Sequence, residues 1–234
     1  MFLFDDLIRK ADSLCSGYDS RALAVDLEEK YIENENQIIF SDDKAFELGG
    51  NPFRGVSLEF LTDQEFDDAI YLYGEDIPSL KKNQSYARIT IANIDHEKLG
   101  KGNVLYGNIR KFDYVKYHFA FDGIMVRESA INRKESLVVS KTALKKEKAD
   151  FASLGSYFIT KYKSLPFIRN VRMAFVTLPE FDYASLSDIV KKGENITKAL
   201  DHLMNKVKMD CHSCSLQVIC NEVEKKVQED FVKE

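Results

Sequence analysis

From residue 86 onward the hydrophobic pattern keeps changing its period, and this alternation of strand and helix signals restricts the fold more than any other feature. Tyr86–Ala92 alternates, with Ala87, Ile89 and Ile91 on one face and Arg88 and Thr90 on the other, which predicts a half-buried strand. Val104–Phe121 is aromatic-rich and long enough for a helix, Leu137–Val139 is a short apolar run expected as a buried strand, and a helical region runs from Lys141 to about Lys163. Val171–Thr177 alternates again, with Val171, Met173 and Phe175 set against Arg172 and Ala174. The clearest helix follows, because Leu186, Ile189, Val190, Ile196, Leu200, Leu203, Met204 and Val207 recur at spacings of three and four. Ser185 with Asp188 supplies a capping pair. Gly193 is expected to divide this helix, since glycine costs about 1 kcal/mol relative to alanine in a helix interior. Together these signals predict an α/β (or α+β) fold in which helices cover a mixed sheet.

The first 60 residues carry weaker signals. Phe2–Leu14 and Ser20–Tyr31 suggest helices, and Gln37–Phe40, Ala45–Leu48 and Val56–Phe60 suggest short strands. Gly49-Gly50-Asn51-Pro52 separates the last two as a turn. With four prolines, no low-complexity stretch and no repeat, no linker is visible, so residues 1–209 are expected to form one domain and residues 210–234 a cysteine-containing helical appendage. A chain of 234 residues that is 44% hydrophobic can bury a core, which excludes disordered and fibrous classes. The longest stretch without Asp, Glu, Lys or Arg is Cys211–Asn221, far short of the ~20 apolar residues of a membrane span. Asp5 and Asp6 interrupt the apolar Met1–Phe4, which leaves no room for a signal peptide, so a cytoplasmic location is expected.

Charge is unevenly distributed. Residues 1–75 hold 6 basic and 18 acidic side chains, whereas residues 123–173 hold 11 basic and 4 acidic ones. The basic block suits an anion such as a polyphosphate cofactor, coenzyme A or a nucleotide, or else an acidic partner. Arg127, Arg133, Lys134 and Lys141 are the candidates, because they cluster around one short strand. The competing readings are that the two blocks face each other or are simply solvated. Neither nucleic acid nor a membrane is an expected partner.

The sharpest local signal is Cys211-His212-Ser213-Cys214 with Cys220 after five further residues, a C-x2-C-x5-C array. Two thiolates so spaced can grip one metal from a tight turn, as zinc and iron–sulfur sites both do. Cys15, His212 or a cysteine of a second subunit is left to supply a fourth ligand. Two other readings stand beside it. Leu216, Ile219, Cys220, Val223, Val227 and Phe231 form an apolar helical stripe in which Cys220 is a core thiol, and C-x-x-C also serves redox chemistry. Elsewhere, Gly100-Lys101-Gly102-Asn103 has the setting of a phosphate-cradling loop but matches no nucleotide fingerprint, so an ordinary turn is preferred. His96, His118 and His202 are scattered, and Asp42-Asp43 and Asp67-Asp68 suggest surface turns or helix starts.

Several segments together resemble the acetyl-CoA synthase family, the β subunit of the carbon monoxide dehydrogenase/acetyl-CoA synthase complex. Phe46-Glu47-Leu48-Gly49-Gly50-Asn51-Pro52 resembles that family's E-F-G-G-P-K turn, and Tyr73-Gly74-Glu75-Asp76-Ile77 resembles its G-P-D-I segment. Gly123-Ile124-Met125 resembles its G-I-M, and Ser140-Lys141-Thr142-Ala143 its S-K-x-A, with Gly155, Lys161 and the Val171 strand following in order. Cys211-His212-Ser213-Cys214 then stands where the family begins its nickel–iron–sulfur cluster motif. The resemblance implies a protein of anaerobic one-carbon metabolism that works with a corrinoid protein or another subunit of such a complex, or as a homo-oligomer. Its family carries a distant C-G-C that holds nickel, and this sequence has none. The implied cofactor is therefore a cubane iron–sulfur cluster, 4Fe–4S, on Cys211, Cys214 and Cys220 with Cys15 as a further candidate. Zinc is the alternative metal, and coenzyme A or an acidic partner would meet Arg127, Arg133 and Lys141. Catalysis by this chain alone is not implied.

Overall fold

The computed structural model describes residues 2–29, 38–119, 121–129, 134–146, 149–204, 214 and 216–231. It has an α/β architecture with parallel and antiparallel pairing in its sheets. Helix α1 (Asp5–Cys15) leads into strands β1 (Arg21–Leu23), β2 (Lys44–Leu48), β3 (Gly55–Thr62), β4 (Ala69–Tyr73) and β5 (Tyr86–Ile94). Helices α2 (His96–Leu99) and α3 (Gly102–Tyr114), a 3-10 turn over Val115–His118, and strands β6 (Ile124–Ser129) and β7 (Lys134–Ser140) come next. Then follow α4 (Lys141–Lys145), α5 (Phe151–Lys163), β8 (Ile168–Val176), α6 (Tyr183–Met204) and α7 (Gln217–Phe231).

Five strands form the larger sheet in the order β1-β4-β8-β5-β3, and three form a smaller one in the order β2-β7-β6. β3 runs parallel to β5 and β4 parallel to β8, while β5 and β8 are antiparallel. Register places Phe60, Ile91 and Arg172 in one row and Leu58, Ile89 and Ala174 in the next, all on one face. Helix α6 lies on this face, with Gly193 against the Phe60 ring, and α1 packs beside α6. Ser57, Glu59, Arg88 and Thr90 point to the opposite face, where α5 and the smaller sheet cover them.

Coverage of both faces explains the main departure from the sequence expectation. Strand β5 is not half-buried: all nine of its residues are buried, including Arg88 and Thr90. Alternation reports which side chains share a face and leaves open whether the polar face meets water. Gly193 does not split its helix. A β-carbon there would fall 2.3 Å from the Phe60 ring, so glycine is what lets α6 lie against β3, and packing overrides the propensity cost. The cap of α6 is also earlier than expected. Asp182 Oδ1 accepts the Ala184 and Ser185 N–H groups at 3.1 and 3.0 Å, and Ser185 Oγ donates to Asp182 Oδ2 at 2.6 Å.

The segment expected as a helix from Ser20 instead contributes β1, paired antiparallel with β4, and Asp26 Oδ1 then accepts the Glu28 and Glu29 N–H groups in a turn. Residues 30–37 lie outside the described residues, and Ile38–Phe40 forms no strand although Ile39 is buried. The Lys141–Lys163 region is two helices, capped separately by Ser140 on the Ala143 N–H and Asp150 on the Ser153 N–H. Strand β4 carries no alternation signal, because all five of its residues are apolar or aromatic. Among the described residues no helix is long and apolar enough to cross a membrane.

Candidate functional site

Of the cysteines, Cys211 and its neighbour His212 lie outside the described residues. Cys214 and Cys220 are both half-buried at the head of α7. The Gln217 N–H donates to the Cys214 carbonyl at 3.1 Å, and the Cys220 N–H to the Leu216 carbonyl at 2.8 Å, so a turn runs directly into the helix. Val223 and Val227 are buried, and Ile219 and Cys220 pack against the core, so the apolar stripe read from the sequence seats α7 with Cys220 on its inner side.

Cys15 sits elsewhere, buried at the end of α1 in a cleft of 160 Å³ with Asp12, Ser20, Tyr73 and Arg172. Burial and then the Asp12 charge push its thiol up to about 11, so it stays protonated at neutral pH. Neither Cys214 nor Cys220 lines that cleft. Among the described residues no group of three or more His, Cys, Asp and Glu side chains is placed to hold a metal. On donor chemistry, Cys214 and Cys220 suit a soft metal, whereas the protonated Cys15 does not.

The basic block meets the acidic front directly. Arg127 lies 4.0 Å from Glu47, and Lys141 Nζ donates to the Asp42 carbonyl at 2.8 Å. Asp43 accepts from Ser140 Oγ at 2.6 Å and from the Thr142 N–H and hydroxyl, and these bonds lower its carboxyl pKa. Lys163 pairs with Asp68, and Arg172 holds both oxygens of Asp12 at 2.8 and 2.9 Å. Arg133 lies outside the described residues. The candidates Arg127 and Lys141 therefore stand beside acidic groups rather than converging on an empty space. Gly100 and Lys101 form the turn between α2 and α3, which begins at Gly102, and the Gly100 N–H donates to the His96 carbonyl at 3.3 Å.

The densest set of ionisable groups is one that sequence reading missed. Arg88, 0% exposed, lies at the centre of a polar network beneath α5. Its Nε donates to both oxygens of Glu135 at 3.0 Å, its NH1 to Thr90 Oγ1 at 2.7 Å and Tyr162 Oη at 3.2 Å, and its NH2 to Ser57 Oγ at 2.8 Å and Glu59 Oε1 at 2.9 Å. The guanidinium also stacks over Phe158, 4.5 Å from the ring centre. Glu59 accepts from Tyr162 Oη and from Lys116 Nζ, the latter at 2.7 Å. Lys116 Nζ in turn stands 2.9 Å from Glu128 Oε1, outside hydrogen-bond alignment.

Two cations thus face three carboxylates, each with at most 1% of its side chain exposed. Burial alone would lower the Arg88 pKa, but Glu135 and its neighbours hold it well above the usual value. The imbalance falls on Glu128. Burial and then the Glu59 charge push its carboxyl up to about 7, against the pull of Lys116, and neither of its oxygens has a hydrogen-bond partner among the described residues. The sequence signal that could have exposed the network was a charged residue within each of four strands: Glu59, Arg88, Glu128 and Glu135.

No family model matches this chain, and no curated protein matches it.

Proposed function

We propose that the chain binds a 4Fe–4S cluster through Cys211, Cys214 and Cys220. On this reading it is a cytoplasmic protein of anaerobic one-carbon metabolism, similar to the acetyl-CoA synthase family, and acts with a corrinoid protein or a subunit of a carbon monoxide dehydrogenase/acetyl-CoA synthase assembly. The observation that carries the metal reading is the seating of Cys214 in the turn before α7 and of Cys220 in the first turn of that helix. The buried Val223 and Val227 hold the helix in place. Cys15 is kept protonated, which leaves His212 or a thiolate of a second subunit as the remaining ligand. A bound cluster would supply one-electron redox chemistry. A coenzyme A or nucleotide role for Arg127, Arg133 and Lys141 has less support, because Glu47 and Asp42 already engage two of them.

Anaerobic purification with iron, sulfide and zinc analysis tests this. The expected result is iron and sulfide with broad visible absorption, lost in Cys214→Ser and Cys220→Ser and kept in Cys15→Ser. Stoichiometric zinc without visible absorption would favour a structural zinc in a non-catalytic interaction module. A colourless, metal-free protein after reconstitution would refute both.

A further inference from the structure

A groove of about 450 Å³ runs between the Gly49–Gly55 turn and α6. Three cations from three separate elements line it: Arg54 in the turn, Lys134 at the start of β7 and Lys191 on α6. One carboxylate, Glu194, lines it too. The half-buried Phe53 ring forms part of its apolar floor, with Val56 and Val190.

This groove is built by the fold. Gly55 lies so close to β7 that a β-carbon on it would fall 1.8 Å from the Glu135 carbonyl oxygen, which clamps the turn onto that strand. Alternation along β7 then sends Glu135 inward to Arg88 and Lys134 outward, where its ammonium donates to Asn51 Oδ1 in the same turn. Lys191 pairs with the exposed Asp188 at 3.5 Å, a pair that solvent screens and that a stronger anion displaces readily. Arg54 is exposed and lies within electrostatic reach of Asp182, the cap of α6. Three cations and one carboxylate thus line the groove, including one guanidinium suited to the paired oxygens of a phosphate. The volume falls within the ~300–1,000 Å³ of small-molecule sites.

We propose that this groove binds a phosphate-bearing small molecule of nucleoside-diphosphate size, with its phosphates between Arg54, Lys134 and Lys191 and its ring system on Phe53. Neither Cys214 nor Cys220 lines the groove, and the proposal does not depend on a metal at the cysteines. Arg54 and Lys191 were not marked by sequence reading, because they lie outside the basic block and only the fold brings them to Lys134.

Calorimetric titration with ADP, inorganic diphosphate and adenosine tests the proposal. ADP is expected to bind with an affinity that weakens as salt is raised, inorganic diphosphate at least tenfold more weakly, and adenosine not measurably. Arg54→Glu, Lys134→Glu and Lys191→Glu should each weaken ADP at least tenfold, and Lys10→Glu, on the exposed side of α1, should leave it unchanged. Absence of ADP binding at millimolar concentration, equal affinity for ADP and diphosphate, or unchanged affinity in the three groove variants would overturn it. Should Lys134→Glu fail to fold by circular dichroism, Lys191→Glu, on an exposed helix position, still decides the outcome.

Discussion

Replacing Glu128 with glutamine removes the one charge that the buried network cannot balance. In the folded protein this carboxyl titrates at about 7, against an ordinary value of 4.5, so folding raises its proton affinity. A raised acid contributes stability that is fully present below about pH 4.5 and is lost as pH climbs through 7. At 1.36 kcal/mol per unit, ionising Glu128 in place costs about 3 kcal/mol, and with 1% of the side chain exposed solvent does little to reduce that figure. Glutamine keeps the shape of the protonated acid and leaves Arg88 and Lys116 balanced by Glu59 and Glu135. Urea denaturation of wild type and Glu128→Gln at several pH values between 4.5 and 8.5 measures the difference. The variant is expected to gain roughly 3 kcal/mol relative to wild type across that range, nearly all of it between pH 5 and 8. If Glu128 were instead a stable ionised partner of Lys116, the variant would be destabilised by roughly 3–5 kcal/mol with no pH trend, and that result would refute the reasoning.

Other perturbations follow from the same packing. Arg88→Met leaves Glu59 and Glu135 without their common cation and should cost about 3–5 kcal/mol in urea denaturation. Gly193→Ala should lower stability by about 1–3 kcal/mol despite the better helix propensity, because its methyl group meets the Phe60 ring; Phe60→Leu in the same chain should recover part of the loss. Asp182→Ala, which removes the cap of α6, should cost about 1 kcal/mol by thermal or urea denaturation. Maleimide at pH 7 should label Cys214 well before Cys15, whose reaction should wait for unfolding; equal rates in mass spectrometry would contradict the buried, protonated thiol.

The long amphipathic α6, the inner stripe of α7 and strands β3 and β8 were legible because their apolar residues follow a single period, and β7 because Leu137–Val139 is a continuous apolar run. Arg88 was not, since a polar residue on an alternating strand looks the same whether it faces water or a second layer carrying Glu135. The cap of α6 shows a similar limit. Both Asp182 and Ser185 are good capping residues, and only the geometry shows Asp182 accepting and Ser185 donating. Ser20–Tyr31 misled because local helix propensity there yields to pairing of Arg21–Leu23 with β4, a contact some fifty residues away that no local pattern announces. The groove on α6 was invisible for the same reason, since Arg54, Lys134 and Lys191 are neighbours only after folding. The cysteine array was fully legible as a spacing, and its chemistry rests on Cys211, which lies outside the described residues.

The strand order of the larger sheet bears on how the chain reaches this state. Strand β8 sits between β4 and β5, pairing with both, yet it is the last of the described strands in chain order. Until Ile168–Val176 leaves the ribosome, β1–β4 and β3–β5 are two separate ribbons with open edges along β4 and β5. Their joining needs contacts across roughly 80–100 residues, the kind of non-local closure that slows folding and prolongs exposure of pairing edges. Truncation after residue 165 should therefore yield aggregation-prone chains, and β8 acts as the keystone that closes the sheet.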